Sequence, residues 1–305
     1  MFFRNLSLFR FPLTLAKPLS DLEKTLDDCR LKPVGPMEPS SRGFVAPMGH
    51  AGEALVHGVG AARWLTLGGE DRLLPSSVVN AELQKRLEAK EAKDGRKPGG
   101  KLRRQIKEDL VAELLPRAFV RPTRLDAMLD LKHGVLAVDT SSKKQAEGFV
   151  SELRHALGSF PALPLNAESS PRALLTGWIA GEPLPPGFAL GDEAELRDPV
   201  DGGAIVKVQR QELLGDEIGK HLEAGKQVSK LALVFHDHVS FVLGEDLVLR
   251  KLKFLDGAVD QLEDAGERDS IAAELDARFA LMSAELSRLF AALEGALQFS
   301  RAEAA

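Results

Sequence analysis

The stretch LALVFHDHVSFVLGEDLVLRKLKF, residues 231–254, decides the fold class. Three apolar runs, Leu231–His236, Val239–Leu243 and Leu247–Phe254, are joined only by short polar turns. A parallel neighbour needs a crossover of a dozen residues or more, so turns this short predict an antiparallel meander. Working outward, Ala204–Gln211 reads as a strand and Gly215–Ala224 as a helix that leads into the meander. Upstream, Arg124–Leu131 and Val135–Thr140 form a predicted hairpin turning at Lys132-His133-Gly134. A helix follows from about Ser142 to Leu157, with Gly158 as its stop. At the N-terminus, Phe2–Leu15 reads as a strand and Ser20–Arg30 as a helix, with Ser20 and Glu23 spaced as a capping box. A second hairpin is predicted from Ala61–Leu67 and Arg72–Leu74 around Gly68-Gly69-Glu70-Asp71. Helices and strands are both plentiful, often segregated, and lack a regular crossover rhythm. That pattern points to an α+β protein.

The chain has 305 residues, 44% hydrophobic and 28% charged, the balance of a folded soluble protein with room for more than one packed unit. Its single cysteine, Cys29, excludes an intramolecular disulfide and a cysteine-rich zinc site. No window approaches the roughly 18 apolar residues of a membrane span. Arg4 and Arg10 interrupt the apolar N-terminus, which reads as a strand and not as a targeting signal, so a cytoplasmic location is expected.

The net charge of −5 hides a separation. Residues 84–107 hold ten Lys or Arg against three acids, and Pro98-Gly99-Gly100 should divide them into two helices. Residues 256–305 hold eleven acids against four arginines. Within them Leu275, Phe279, Met282, Leu286, Leu289, Leu293 and Leu297 form one apolar stripe of a long helix, read as a core face. A basic arm can thus face an anion while the total charge stays negative.

No catalytic constellation emerges. Gly95-Arg-Lys-Pro-Gly-Gly-Lys101 has the spacing of a phosphate-binding loop. However, Leu102 stands where a hydroxyl residue should ligate magnesium, and the segment follows a predicted helix instead of a strand. His236-Asp237-His238 sits at a hairpin turn without a third ligand near in sequence and reads as a turn with exposed histidines. No Gly-x-Ser-x-Gly elbow is present, and Cys29 reads as a small apolar packing residue. No cofactor or metal is expected. The chain has no tyrosine and only Trp64 and Trp178 for base stacking, so nucleic-acid binding would rest on phosphate contacts with little sequence preference.

Several blocks then resemble one family in order along nearly the whole chain. They are Phe3-Arg-Asn-Leu6, Gly43-Phe-Val-Ala-Pro-Met-Gly49, Leu73-Leu-Pro-Ser76 and Leu114-Leu-Pro-Arg-Ala-Phe119, then Asp192-Glu-Ala-Glu-Leu196 and Asp201-Gly-Gly203. Glu223-Ala-Gly-Lys226, Lys230-Leu-Ala-Leu233 and Leu252-Lys-Phe254 complete the set. Together they resemble RdgC, the bacterial recombination-associated DNA-binding family. The resemblance implies a ring-shaped homodimer that encircles double- or single-stranded DNA without sequence preference, associates with the nucleoid and restrains RecA at recombination and replication forks. It further implies DNA contacts from Arg96, Lys97, Arg117, Arg210, Gln211 and Lys226, and a ring-closing role for Phe119. Arg210 stands where the family has lysine, which keeps the charge and changes the donor geometry. Pro98-Gly99-Gly100 departs from the family's more continuous helix.

The resulting expectation is a non-enzymatic DNA-binding protein with a discontinuous central domain, residues 1–75 and 118–200. A basic helical arm, 76–117, is inserted in it, and a base domain of antiparallel strands and C-terminal helix, 201–305, follows. The rival readings are an adaptor whose basic arm binds an acidic protein, and a nucleotide-dependent enzyme resting on the defective loop at Gly95–Lys101.

Overall fold

The structure, a computed structural model, describes residues 2–20, 22–200, 203–263 and 270–300. Asp201 and Gly202 of the Asp201-Gly-Gly203 block lie outside the described residues, as do the acidic Asp264, Glu267, Asp269 and Glu303.

In chain order the elements are β1 (Ser7–Arg10), α1 (Glu23–Asp27), β2 (Ser40–Val45), β3 (Val56–Val59), β4 (Ala62–Leu73), α2 (Ser76–Asp94) and α3 (Gly100–Leu114). Then come β5 (Phe119–Asp130), β6 (Val135–Val138), α4 (Lys143–Leu157), β7 (Leu163–Pro164), α5 (Pro171–Ile179), β8 (Phe188–Arg197) and β9 (Ile205–Gln209). The chain ends with α6 (Asp216–Glu223), β10 (Gln227–Phe235), β11 (Val239–Gly244), β12 (Leu249–Phe254), α7 (Asp256–Glu263) and α8 (Ile271–Leu297). It is a mixed α+β fold whose sheets are antiparallel. Two compact units are present, one of Met1–Asp28, Ala46–Thr66 and Leu125–Ala305, the other of Cys29–Val45 and Leu67–Arg124.

The larger unit contains the predicted meander. Phe235 pairs with Val239 and Leu243 with Leu249, and the sheet runs β12-β11-β10-β8-β9. A second sheet runs β3-β4-β5-β6-β1-β7. Its central hairpin closes with Asp130 opposite Val135. The turn is held by Asp130, whose Oδ1 accepts the backbone N–H of Lys132 at 2.9 Å and of His133 at 3.1 Å. Ser142 caps α4 by accepting the Gln145 N–H, and Gly158 ends it at φ +71°, a left-handed geometry that glycine adopts without penalty. The stripe of α8 is core: Phe279, Met282, Leu286, Leu289, Leu293 and Leu297 are buried with Trp64, Trp178, Leu231 and Phe235.

Three expectations are corrected. The N-terminal strand spans only Ser7–Arg10, because the Arg4 and Asn5 N–H groups turn aside to Asp139 Oδ1, at 2.8 and 2.9 Å. The helix expected over Ser20–Arg30 is reduced to five residues, with Leu22 at its N-cap and no side-chain cap. Glu23 does not close a capping box; its two carboxylate oxygens accept the Leu55 and Val56 N–H groups at 2.8 and 2.9 Å. Finally, Gly68-Gly69-Glu70-Asp71 is not a turn. β4 runs unbroken through it for twelve residues. A Cβ on Gly68 would stand 2.7 Å from Val45 Cγ1, and one on Gly69 2.6 Å from Arg42 Nη1 and 2.7 Å from Thr123 Oγ1. These glycines admit crowding side chains from β2 and β5, the other structural use of glycine in a strand.

Candidate nucleic-acid interface

In the smaller unit, α2 and α3 form a hairpin across the short connection 95–99, where Gly95 ends α2 in the left-handed region and Gly99 starts α3. The seam is apolar: Val79, Leu83 and Leu87, spaced four apart on one face of α2, bury against Leu110 of α3. Helical periodicity turns the charged residues outward. Some of them pair within the hairpin, Arg86 with Glu113 at 2.7 Å, Lys90 with Asp94 at 3.1 Å and Arg104 with Glu108 at 2.9 Å. Lys93, Arg96, Lys97, Lys101, Arg103 and Lys107 are exposed and form no ion pair among the described residues.

The site residues expected in this unit fall at two places. Arg96 and Lys97 lie together in the α2–α3 loop. Arg117 and Phe119 lie beyond the other end of α3, whose fifteen residues span about 22 Å. Arg72 organises that end: its guanidinium donates to the carbonyls of Leu115, Pro116 and Ala118 at 3.2–3.4 Å. Phe119 is 84% exposed, so within its own chain it is not core. Leu73, the last residue of β4, is half-exposed as well, and Arg121 two residues beyond Phe119 pairs with Asp71 at 3.6 Å.

In the larger unit, Arg210 directly follows β9 in the left-handed region, φ +57°, and is exposed. Gln211 donates from Nε2 to Glu217 Oε2 at 2.9 Å. Lys226 precedes β10. Gln209 pairs with Glu193 and Gln227 with Arg197, so Arg210 and Lys226, one residue beyond each, lie at opposite ends of β8, about 20 Å apart along the strand. The structure therefore groups Arg210 with Gln211 and sets Lys226 apart.

Sequence reasoning missed a charge cluster on the same sheet. β8 alternates Ala194 and Leu196 into the core with Glu195 and Arg197 on the opposite face. Glu195, its side chain only 8% exposed, accepts from Lys230 Nζ at 3.0 Å and from Arg197 Nε and Nη2 at 2.8 and 2.7 Å. Lys207 Nζ stands 3.8 Å away. Burial pushes the Glu195 carboxyl up, but the hydrogen bonds and charges of Lys230 and Arg197 overcome it and hold its pKa at about 2. The period-two alternation of Glu193, Glu195 and Arg197 was the available signal.

That depressed pKa has a consequence for stability. An unfolded glutamate takes up its proton near pH 4.5, so between about pH 4.5 and 2 the unfolded chain binds more protons and acidification favours unfolding. The contribution is present above pH 4.5 and lost as pH falls through 2. The shift sets a ceiling of about 3 kcal/mol, and screening of the more exposed cations lowers it to about 1–2 kcal/mol. Glu195→Gln should therefore melt several degrees below the parent at pH 7, with the gap narrowing by pH 2.5. A pH-independent gap in thermal melts would count against the ionic origin.

The His236-Asp237-His238 turn is also corrected in part. His236 and Asp237 are exposed in left-handed conformations, but His238 is half-buried and its Nδ1 lies 3.2 Å from Oε1 of the fully buried Glu285, which also pairs with Arg288. No group of three His, Cys, Asp or Glu that could hold a metal ion occurs among the described residues. No helix among them is long and apolar enough to cross a membrane.

A family profile described as "Putative exonuclease, RdgC" matches residues 1–300. The chain is 63% identical over 305 residues to the recombination-associated protein RdgC of Xanthomonas campestris pv. campestris (strain B100), covering 100% of both chains. It is 62% identical over 304 residues to that of Xanthomonas axonopodis pv. citri (strain 306), and 59% identical over 304 residues to that of Stenotrophomonas maltophilia (strain R551-3). The latter two matches each cover 99% of this chain and 100% of the relative. A profile match over nearly every residue and identity of this order along the full length place the chain in the RdgC family of recombination-associated proteins.

Proposed function

We propose that this chain is a DNA-binding protein without sequence preference that closes as a ring-shaped homodimer around double- or single-stranded DNA and, by occupying it, restrains RecA-mediated recombination at the nucleoid. The observation that carries this reading is the set of six exposed, unpaired lysines and arginines on the α2–α3 hairpin, in a chain whose total charge is −5. Such cations gain affinity by displacing counterions from phosphates, a contribution indifferent to sequence. Arg96, Lys97 and Arg117 in one unit and Arg210, Gln211 and Lys226 in the other are the proposed contacts. Phe119, with the half-exposed Leu73, is the proposed closure between subunits, because exposed large apolar groups of this kind mark association surfaces.

The relatives' name ties the family to recombination, and the profile's description names an exonuclease. Binding without catalysis is favoured here because the acids of the charge clusters, Glu195 and Glu113, are engaged by lysine and arginine. The test is binding to random-sequence duplex across a salt series. Each phosphate contact should add about 0.9 to the slope of log affinity against log salt. Arg210→Ala or Lys226→Ala should lower that slope by about one and weaken every sequence alike. An unchanged slope, or a loss restricted to one sequence, would count against the phosphate contacts.

A further inference from the structure

The five-stranded sheet of the larger unit carries an uncompensated row of cations on its polar face. Lys207 on β9 and Lys230 on β10 flank Glu195 as its cross-strand partners on either side, and Arg197 stands two residues along β8 from Glu195 on the same face. All three surround the single carboxylate of Glu195. No second acid lies within ion-pair distance of any of them among the described residues, which leaves the row with two positive charges in excess. Lys207, at 3.8 Å and 68% exposed, is the least engaged of the three. Adjacent strands are about 4.8 Å apart, so the row is about 10 Å wide, and like charges at that spacing repel one another.

Neighbouring cations on the same sheet behave otherwise. Lys251 donates to both oxygens of Glu193, at 2.7 and 2.6 Å, and Arg250 to both oxygens of Asp246, at 2.9 and 2.5 Å. Those pairs are neutral. Around Glu195 three cations share one carboxylate, and Lys207 lies three residues before Arg210 on the same strand and turn.

We propose that Arg197, Lys207 and Lys230 form a second set of phosphodiester contacts, continuous with Arg210, with Glu195 as the positioning residue that keeps the three cations at fixed places on the sheet. The inference rests on the DNA-binding reading above and extends it to a face that the family resemblance did not indicate. A duplex presents one negative charge per roughly 1.7 Å of axis, so a row about 10 Å wide meets several phosphates and the excess charge is relieved on binding. The contact is to the backbone and therefore blind to sequence.

The experiment measures the salt slope of random-sequence duplex binding for the full-length protein and for Lys207→Ala, Lys207→Arg and Lys251→Ala, each checked for an unchanged melting temperature. Lys207→Ala should lower the slope by about 0.9. Lys207→Arg should restore it, and Lys251→Ala should leave it as in the parent because Glu193 already neutralises that cation. A parent slope retained in Lys207→Ala, with the parent binding DNA, overturns the sheet-face contact alone. A parent that binds no duplex at any salt overturns the DNA-binding reading and this inference with it.

Discussion

Phe119→Ala is expected to leave the melting temperature of the folded chain within about 2 °C of the parent while weakening the subunit contact by about 30- to 1000-fold. The side chain is 84% exposed, so its truncation opens no cavity in its own unit. If it fills a pocket on a second subunit, its loss is that of an interface anchor, about 2–4 kcal/mol. Sedimentation of the variant should show a larger fraction of single chains than the parent at equal concentration, if the proposed dimer forms. Binding to short linear duplex should persist, because Arg96, Arg210 and Lys226 are untouched, while retention on closed circular DNA through a salt challenge should fall. A sharp drop in melting temperature together with loss of all DNA binding would make Phe119 a folding residue. Unchanged sedimentation would remove it from the interface.

Trp64→Ala should produce the largest loss of stability of any single truncation considered for the larger unit. Trp64 is 4% exposed, stacks on Phe279 of α8 with ring centroids 5.4 Å apart, and donates from Nε1 to Asp126 Oδ1 at 2.9 Å. Thr66 donates to the same oxygen at 2.6 Å, so the indole is part of a buried polar network inside an apolar cluster. Removing an aromatic of this size costs about 3–5 kcal/mol, and withdrawing a donor from the buried Asp126 adds about 1–3 kcal/mol. Trp64→Phe keeps the stack on Phe279 and loses only the donor, so its cost should stay within the smaller of those two ranges. Chemical denaturation followed by circular dichroism separates the two variants. Equal losses in both would assign the effect to the hydrogen bond and not to the packing.

The two experiments bear on different interactions. Phe119 tests what the chain does with another copy of itself, and its effect depends on protein concentration. Trp64 tests how α8 is attached to β4 and β5 within one subunit, and its effect does not.

Elements whose causes are local were legible from the residues. α4 lies where Ser142 caps it and Gly158 stops it, because both signals act within a turn of the helix. The hairpin of β5 and β6 follows from apolar runs too close in sequence to be anything but antiparallel. The stripe of α8 was visible because seven apolar residues recur at helical spacing, and so was the division of the basic segment at Pro98-Gly99-Gly100. The charge separation between the arm and the C-terminal region needed only counting.

What the tertiary structure alone decided concerns residues whose partners are distant in sequence. Gly68 and Gly69 carry the local signature of a turn, yet Val45, Arg42 and Thr123 crowd them in an unbroken strand. Glu23 sits three residues after Ser20 as a capping box requires, yet its carboxylate serves the Leu55 and Val56 N–H groups instead. Glu195 looks like one more surface acid until β9 and β10 bring Lys207 and Lys230 beside it. Phe119, one phenylalanine among fifteen, stands 84% exposed at the start of β5, which its neighbours in sequence do not reveal. Capping, turn closure and periodicity are short-range and are written in neighbouring residues. Crowding, desolvation and charge balance depend on which distant strands become neighbours, and only the folded chain determines that.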